Sequence, residues 1–170
     1  MILETERLRL RRLTLLDSPF MLGLLNEPAW HRFIGDRGVR TIEETQEYLG
    51  KSYLRGYERD GFSMFLVERK RDAAPLGVCG LMKRDSLADV DLGFGFKSEH
   101  RRHGYAYEAA VGTLRWGHET LGLERIVAIT DPENAPSIAL LRKLGFELES
   151  DIQEPSPDGE KTIHLFAWRA

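Results

Sequence analysis

One cysteine, Cys79, stands among 170 residues. A single thiol excludes an internal disulfide and any thiolate metal cluster. It makes a reducing compartment, the cytoplasm, the expected location. No apolar run approaches the roughly 20 residues of a membrane span. The opening "MILETERLRLRR" carries charge too early for a secretory leader, so neither export nor a membrane is expected. An excess of positive charge is lacking too: 24 Lys and Arg against 27 Asp and Glu give a net charge of -3. That balance argues against nucleic acid as the partner, although a basic cleft remains compatible with it. His31, His118 and His164 are scattered without HxxxH spacing, so no metal site is expected. Repeats, low-complexity tracts and a GxxxxGK[ST] phosphate loop are absent as well.

What is present is a chain that is 42% hydrophobic and 30% charged. It is long enough for one domain, residues 1–170, with a sizeable core. Leu8 and Leu10 alternate with Arg7, Arg9 and Arg11, which predicts a first strand within Glu4 to Thr14. A short helical pattern follows and stops near Pro28. Thr41 and Glu44 have capping-box spacing and open a helix that runs to about Arg59. Three strand-like segments follow, "FSMFLVERK", "PLGVCGLMKR" and "ADVDLGFGFK", in the pattern of an antiparallel meander. The second half reads helix, strand, helix and two strands. Its first helix turns Ala106, Ala110, Leu114, Gly117 and Leu121 to one side and Glu108, Gly112, Arg115 and Glu119 to the other. Its second helix opens at Asn134, a natural N-cap, has Pro136 in its first turn and stops at Gly145. The fold class is α/β with a mixed sheet: antiparallel strands, then a β-α-β-α unit. Cys79 lies in an apolar strand and reads as core. Tyr48, Tyr53 and Tyr57 read as core contacts, with a cleft lining as the other assignment.

The junction "HRRHGYAYEAA", His100 to Ala110, gathers basic residues and a glycine where a helix begins. The first helical amides have no intrahelical partner, and the macrodipole leaves about half a positive charge there. One reading is an exposed polar turn; the other is a phosphate seat, with Gly104 allowing close approach. In the strand before it, Val90, Leu92, Phe94 and Phe96 share one face, and Asp89, Asp91, Gly93 and Gly95 share the other. A carboxylate followed by two positions without side chains predicts an open slot beside an acid, provided no bulge shifts the alternation.

Arg101, Gly104 and Ala106 match Arg-x-x-Gly-x-Ala. This resembles the pyrophosphate loop of the GNAT acetyltransferase superfamily, usually (Gln/Arg)-x-x-Gly-x-(Gly/Ala). Downstream, "DPENAPSIALLRKLGF" is similar to the family's second signature, an Asn opening a helix that ends in Lys-x-Gly-Phe. "ETERLRLRRLTLLD" is similar to the opening of the branch that includes the ribosomal-protein N-terminal acetyltransferases. The resemblance covers nearly the whole chain.

The resemblance implies acetyl-CoA as acetyl donor, without a metal. Backbone amides of His103, Gly104, Tyr105 and Ala106, with Arg101 and Arg102 nearby, would hold the pyrophosphate. The strand containing Phe94 and Phe96 would pair with the pantetheine arm, in a gap between it and the strand beginning at Glu124. Asn134 would reach the pantetheine, or only cap its helix. Asp91 aligns with the family's frequent Glu and is the first candidate for general base, with Asp89 second. A strand N–H would polarise the thioester carbonyl. Many relatives place a general-acid Tyr where this chain has Leu141. Ser137 matches a serine of the ribosomal-type branch and would either donate to the leaving thiolate or cap the first turn. Trp30, Phe33 and Asp36 lie where relatives build an acceptor wall.

The implied activity is N-acetylation of a primary amine, on a small molecule or a protein N-terminus, by a monomer or homodimer. The alternatives are a CoA-binding sensor or interaction module without chemistry, and a phosphate-ligand α/β protein of another kind.

Overall fold

The computed structural model describes residues 1–170. The chain opens with β1 (Leu3–Glu4) and β2 (Leu8–Arg12), antiparallel with Leu3 opposite Leu10. The single strand expected from Glu4 to Thr14 is therefore broken. Thr5 causes the break: its hydroxyl accepts from the Leu8 amide at 3.1 Å, and its own amide donates to the Leu8 carbonyl at 2.9 Å.

Helices α1 (Ser18–Leu25), α2 (Pro28–Phe33), α3 (Ile42–Leu49) and α4 (Arg55–Asp60) follow. Pro28 does end the first helical pattern, but it also starts α2, a helix the sequence pattern did not assign. At a first helical position its missing N–H loses no bond. The expected capping box is present, with the Glu44 amide donating to the Thr41 hydroxyl and the Glu44 carboxylate accepting from the Thr41 amide.

Between α3 and α4, Gly50–Leu54 winds with the wider π-type turn. Residues five apart on an α-helix lie about 140° around the axis from each other. The wider turn instead brings Tyr48 and Tyr53 together, edge to face with ring centroids 5.7 Å apart. Periodicity alone describes one continuous helix here and misses this pairing.

The meander is β3 (Met64–Arg69), β4 (Ala74–Met82) and β5 (Asp91–Phe96), antiparallel throughout. Then come α5 (Tyr105–Leu121), β6 (Arg125–Thr130), α6 (Ala135–Lys143), β7 (Glu147–Ser156) and β8 (Gly159–Arg169). One sheet runs β1-β2-β3-β4-β5-β6-β8-β7. β7 is twice the expected "FELES": it and β8 form a hairpin closing at Ser156 opposite Gly159. β6 pairs with β8 only as far as Thr130 opposite His164, so the hairpin tip extends past the sheet.

Both faces of the sheet are covered. On one, Ala109, Ala110 and Leu114 of α5 meet Phe65, Cys79, Leu81, Leu92 and Phe166. On the other, Met21, Leu24, Trp30 and Leu49 meet Met64, Leu66 and Val78. Cys79 is core as expected, and burial pushes its thiol up to about 12. The side of α5 that carries Glu108, Gly112, Arg115 and Glu119 is partly covered: a Cβ on Gly112 would lie 2.9 Å from Thr5 Cγ2 and 3.1 Å from Leu3 Cδ1.

Gly80 of β4 sits opposite Met64 of β3. A Cβ there would lie 2.4 Å from the Ser63 carbonyl oxygen and 2.6 Å from Met64 Cα, both backbone atoms that cannot swing aside. Gly80→Ala is expected to destabilise the fold by about 1–3 kcal/mol, the range for forced overpacking. A urea unfolding midpoint equal to that of the unsubstituted protein would contradict this contact.

Candidate active site

β5 and β6 are parallel neighbours that meet at one register position, Asp91 opposite Val127, with the Val127 amide donating to Val90 at 3.0 Å. Beyond it they part. On the other side of β5, the Lys97 amide donates to the Leu76 carbonyl at 3.0 Å. Gly95 lies opposite Val78 and Gly93 opposite Gly80. In an antiparallel ladder successive residues point their backbone groups to opposite edges. Gly93 and Gly95 therefore bond to β4, while Phe94 directs its N–H and C=O into the gap. The Phe96 carbonyl, on the same edge, accepts from Arg101 Nη2 at 3.2 Å.

The gap is part of a cleft of about 1820 Å³. It is lined by Asp91, Phe94, Phe96, Arg101, Arg102, Gly104, Tyr105, Ala106, Asn134 and Ser137, so all the candidate residues but two meet there. Asp89 is one exception. The other is His103. Its Nδ1 donates to the Arg101 carbonyl at 2.7 Å, which fixes the proton on that nitrogen because a carbonyl only accepts. Its ring stacks on Tyr105 at 5.7 Å.

The loop before α5 is held in an unusual backbone shape. Arg102 has φ 62° and Gly104 φ 78°, both left-handed. The amides of Arg102, His103 and Gly104 donate to no acceptor of the chain. The amides of the first turn of α5 add to them. Converging free donors at a helix N-terminus suit an anion. Glycine suits this backbone shape, and a Cβ at Gly104 would point at Arg7 Nη2, 3.3 Å away.

Arg7 was not singled out by sequence, and it pins the loop. Its Nη1 donates to the His103 carbonyl at 2.9 Å, its Nε to Glu108 Oε2 at 2.6 Å, and its guanidinium lies 4.6 Å over the Tyr105 ring. Glu108 also accepts from the Thr5 hydroxyl and the Arg7 amide. Burial raises the Glu108 carboxyl, but these bonds outweigh it and hold the group below its ordinary value.

Of the two arginines, Arg101 is exposed and makes one bond, from Nη2 to the Phe96 carbonyl at the end of β5. Arg102 is exposed. Asn134 caps α6, its Oδ1 accepting from the Ser137 amide at 3.3 Å. Leu141 is 1% exposed and packs in the core.

Asp91 is 1% exposed at the point where the strands part. Burial pushes its carboxyl up to about 6, against the pull of Arg84. Arg84 Nε lies 3.1 Å from each Asp91 oxygen. The partner was legible in principle: continued past Met82 opposite Asp91, the hairpin register puts Arg84 diagonal to it. Asp89, the second candidate, does not line the cleft. It precedes β5 and pairs with Arg125 at 3.0 Å, in a surface cluster with Glu149.

The strand alternation holds, but the expected open slot does not. A Cβ on Gly95 would lie 2.4 Å from Trp30 Cζ3, and one on Gly93 3.0 Å from Met64 Sδ. The indole and the two methionines, Met64 and Met82, already fill the space above both glycines.

The cleft has two further walls. One carries Trp30, Phe33, Asp36, Arg37, Tyr48 and Tyr53; the other is the hairpin, with Glu154, Asp158 and Glu160. Asp36 is engaged by Arg40. Tyr53 and Tyr57 are buried as expected, yet Tyr48 and Tyr53 also line the cleft. Lys161 ties the hairpin to buried Asp131, just past β6.

A family model described as an acetyltransferase (GNAT) domain matches residues 7–147. The chain is 28% identical over 156 residues to the N-acetyltransferase YoaA of Bacillus subtilis (strain 168), covering 90% of this chain and 86% of that one. Among solved structures it is similar to a GNAT-family acetyltransferase from Bacillus anthracis, with TM-score 0.83, 25% identity and coverage of 99% and 98%. It shares its fold with the ribosomal L7/L12 alpha-N-protein acetyltransferase RimL in complex with coenzyme A, at TM-score 0.82, 18% identity and coverage of 99% and 97%.

Proposed function

The chain belongs to the GNAT acetyltransferase family, and on that premise we propose that it acetylates a primary amine from acetyl-CoA with Asp91 as general base. The observation that carries this reading is a buried carboxylate at the mouth of the β5–β6 gap, its carboxyl raised to about 6. A base with a pKa near the working pH is both ionised and able to take a proton.

The residues present suit CoA. The free amides of Arg102, His103 and Gly104 and the start of α5 would seat the pyrophosphate. Exposed Arg102 would add charge, while Arg101 holds the strand end. Phe94 would offer its backbone N–H and C=O to the pantetheine amides. Asn134 and Ser137 would border the same arm, and a structural neighbour holds CoA. When bound, acetyl-CoA supplies an acyl group activated as a thioester.

Asp91 then accepts a proton from the acceptor ammonium, directly or through one water. The β5 backbone donor beside the gap stabilises charge on the carbonyl oxygen. Arg84 keeps Asp91 from becoming fully neutral at its buried position. Leu141 carries no proton to give, and Ser137, which lines the cleft, would assist the thiolate.

A CoA-binding module without chemistry would share the cradle, but it has no use for a buried, raised carboxylate. Free-thiol release from acetyl-CoA with a panel of primary amines tests the choice. Turnover on at least one amine is expected. CoA binding with no thiol release on any acceptor would favour the module.

A further inference from the structure

The charges around the acceptor end are sorted by wall. Arg84 is 36% exposed at its side chain and meets Asp91 through Nε alone, so its terminal nitrogens remain available. Arg37 lines the same wall, is exposed, and pairs with no carboxylate, whereas Arg40 holds Asp36 and Arg59 holds Asp60. Burial raises the Tyr53 hydroxyl well above its ordinary value, and Arg37 and Arg84 both pull the other way. Tyr48 and Tyr53 lie hydroxyl to hydroxyl at 3.5 Å and back this wall with polar edges. The hairpin lines the same cleft with Glu154, Asp158 and Glu160, none of them engaged by a cation. Glu154 lies near enough to Asp91 to raise its carboxyl further. A polycation would meet Arg37 and Arg84 beside the base. A neutral amine would leave both walls unused.

We propose that the acceptor is a primary amine that carries a carboxylate close to its nitrogen, with Arg37 and the outer nitrogens of Arg84 holding the carboxylate while Asp91 and the hairpin acids face the amine. This rests on the transferase reading above. Arg37, outside the sequence candidates, becomes a specificity-determining residue. Two guanidinium contacts to a carboxylate are charge-assisted and planar, which suits the group to this wall.

The test compares L-α-amino acids, their primary amides and spermidine as acceptors, by free-thiol release from acetyl-CoA. The amine of an amide is less basic than that of the acid, so more of it is neutral at neutral pH. A site blind to charge would therefore favour the amide. The expected result is the reverse: for the best side chain, kcat/KM for the acid exceeds that for the amide by at least about tenfold, the effect of a charged hydrogen bond. Arg37→Gln brings this ratio close to one, and Arg37→Lys restores part of it. Calorimetry on the CoA-loaded protein should show the same loss of affinity for the acid in Arg37→Gln. Arg37 is exposed, so folding is not at stake. Amides or spermidine turned over as fast as the acids would overturn this inference alone, as would an unchanged ratio in Arg37→Gln. No turnover of any amine despite CoA binding would overturn the transferase reading and this inference with it.

Discussion

Asp91→Asn is expected to lower kcat/KM for the acceptor by roughly 100-fold or more, the usual scale for loss of a general base. CoA affinity should stay within about twofold, because the pyrophosphate seat lies at the other end of β5 and distant sites act independently. The pH profile carries the same signature. Burial, against Arg84, raises the carboxyl to about 6. Activity should therefore fall with unit slope as pH drops through about 6, and Asp91→Asn should remove that limb. The stability effect has the opposite sign. A carboxyl whose folded pKa lies above the unfolded value of about 3.9 stabilises the fold most below that value, and the contribution is lost as pH rises through about 6. At pH 7.5 the buried charge opposes folding, so the Asn variant should melt no lower than the unsubstituted protein. Arg84, partly exposed, is solvated by water when its partner is neutral. Equal losses of rate and CoA affinity would instead make Asp91 a structural residue.

Gly104→Val should weaken CoA binding by about tenfold or more. With φ at 78°, the position is left-handed, and a β-branched residue there is strained by about 1–2 kcal/mol. Relaxing that strain means rotating the amides that would receive the pyrophosphate. The new side chain also starts 3.3 Å from Arg7 Nη2, so it pushes on the guanidinium that holds His103 and Glu108. Calorimetric titration with CoA measures the loss, and thermal unfolding separates local from global damage. Arg7→Ala supplies the comparison: it frees the space but removes the pin, so Gly104→Val should cost less affinity in that background. Unchanged CoA affinity in Gly104→Val would place the pyrophosphate elsewhere.

The reach of the sequence follows the range of the interactions. Alternation in "DVDLGFGF" assigned the faces of β5 correctly, because that pattern is local. It proposed an empty slot because nothing local says that Trp30, 65 positions before Gly95, lies on that glycine. The Thr41 capping box and the Asn134 cap were legible for the same local reason. The grip of Arg7 on Glu108 spans a sequence separation of 101 residues, and no pattern within a strand or a helix encodes it. Arg84 lay between these cases, since it follows once the β4–β5 register is known. The π-type turn escaped because hydrophobic spacing stays helical through Gly50–Leu54 while the winding changes. The hairpin past Ser150 was missed because it is solvated on both sides and carries little apolar alternation.

The seam between β5 and β6 has a consequence for the molecule as a mechanical object. β4 and β5 share six register positions, as do β6 and β8, but β5 and β6 share one. The backbone ladder is thus two banks joined by a single rung, and side-chain packing under α5 carries most of the remaining coupling. An extended molecule lying in the seam would bond along the edge that β5 leaves vacant and act as a missing strand. Cooperativity across the sheet would then depend on the very molecule the protein consumes, so each turnover would briefly loosen one bank from the other.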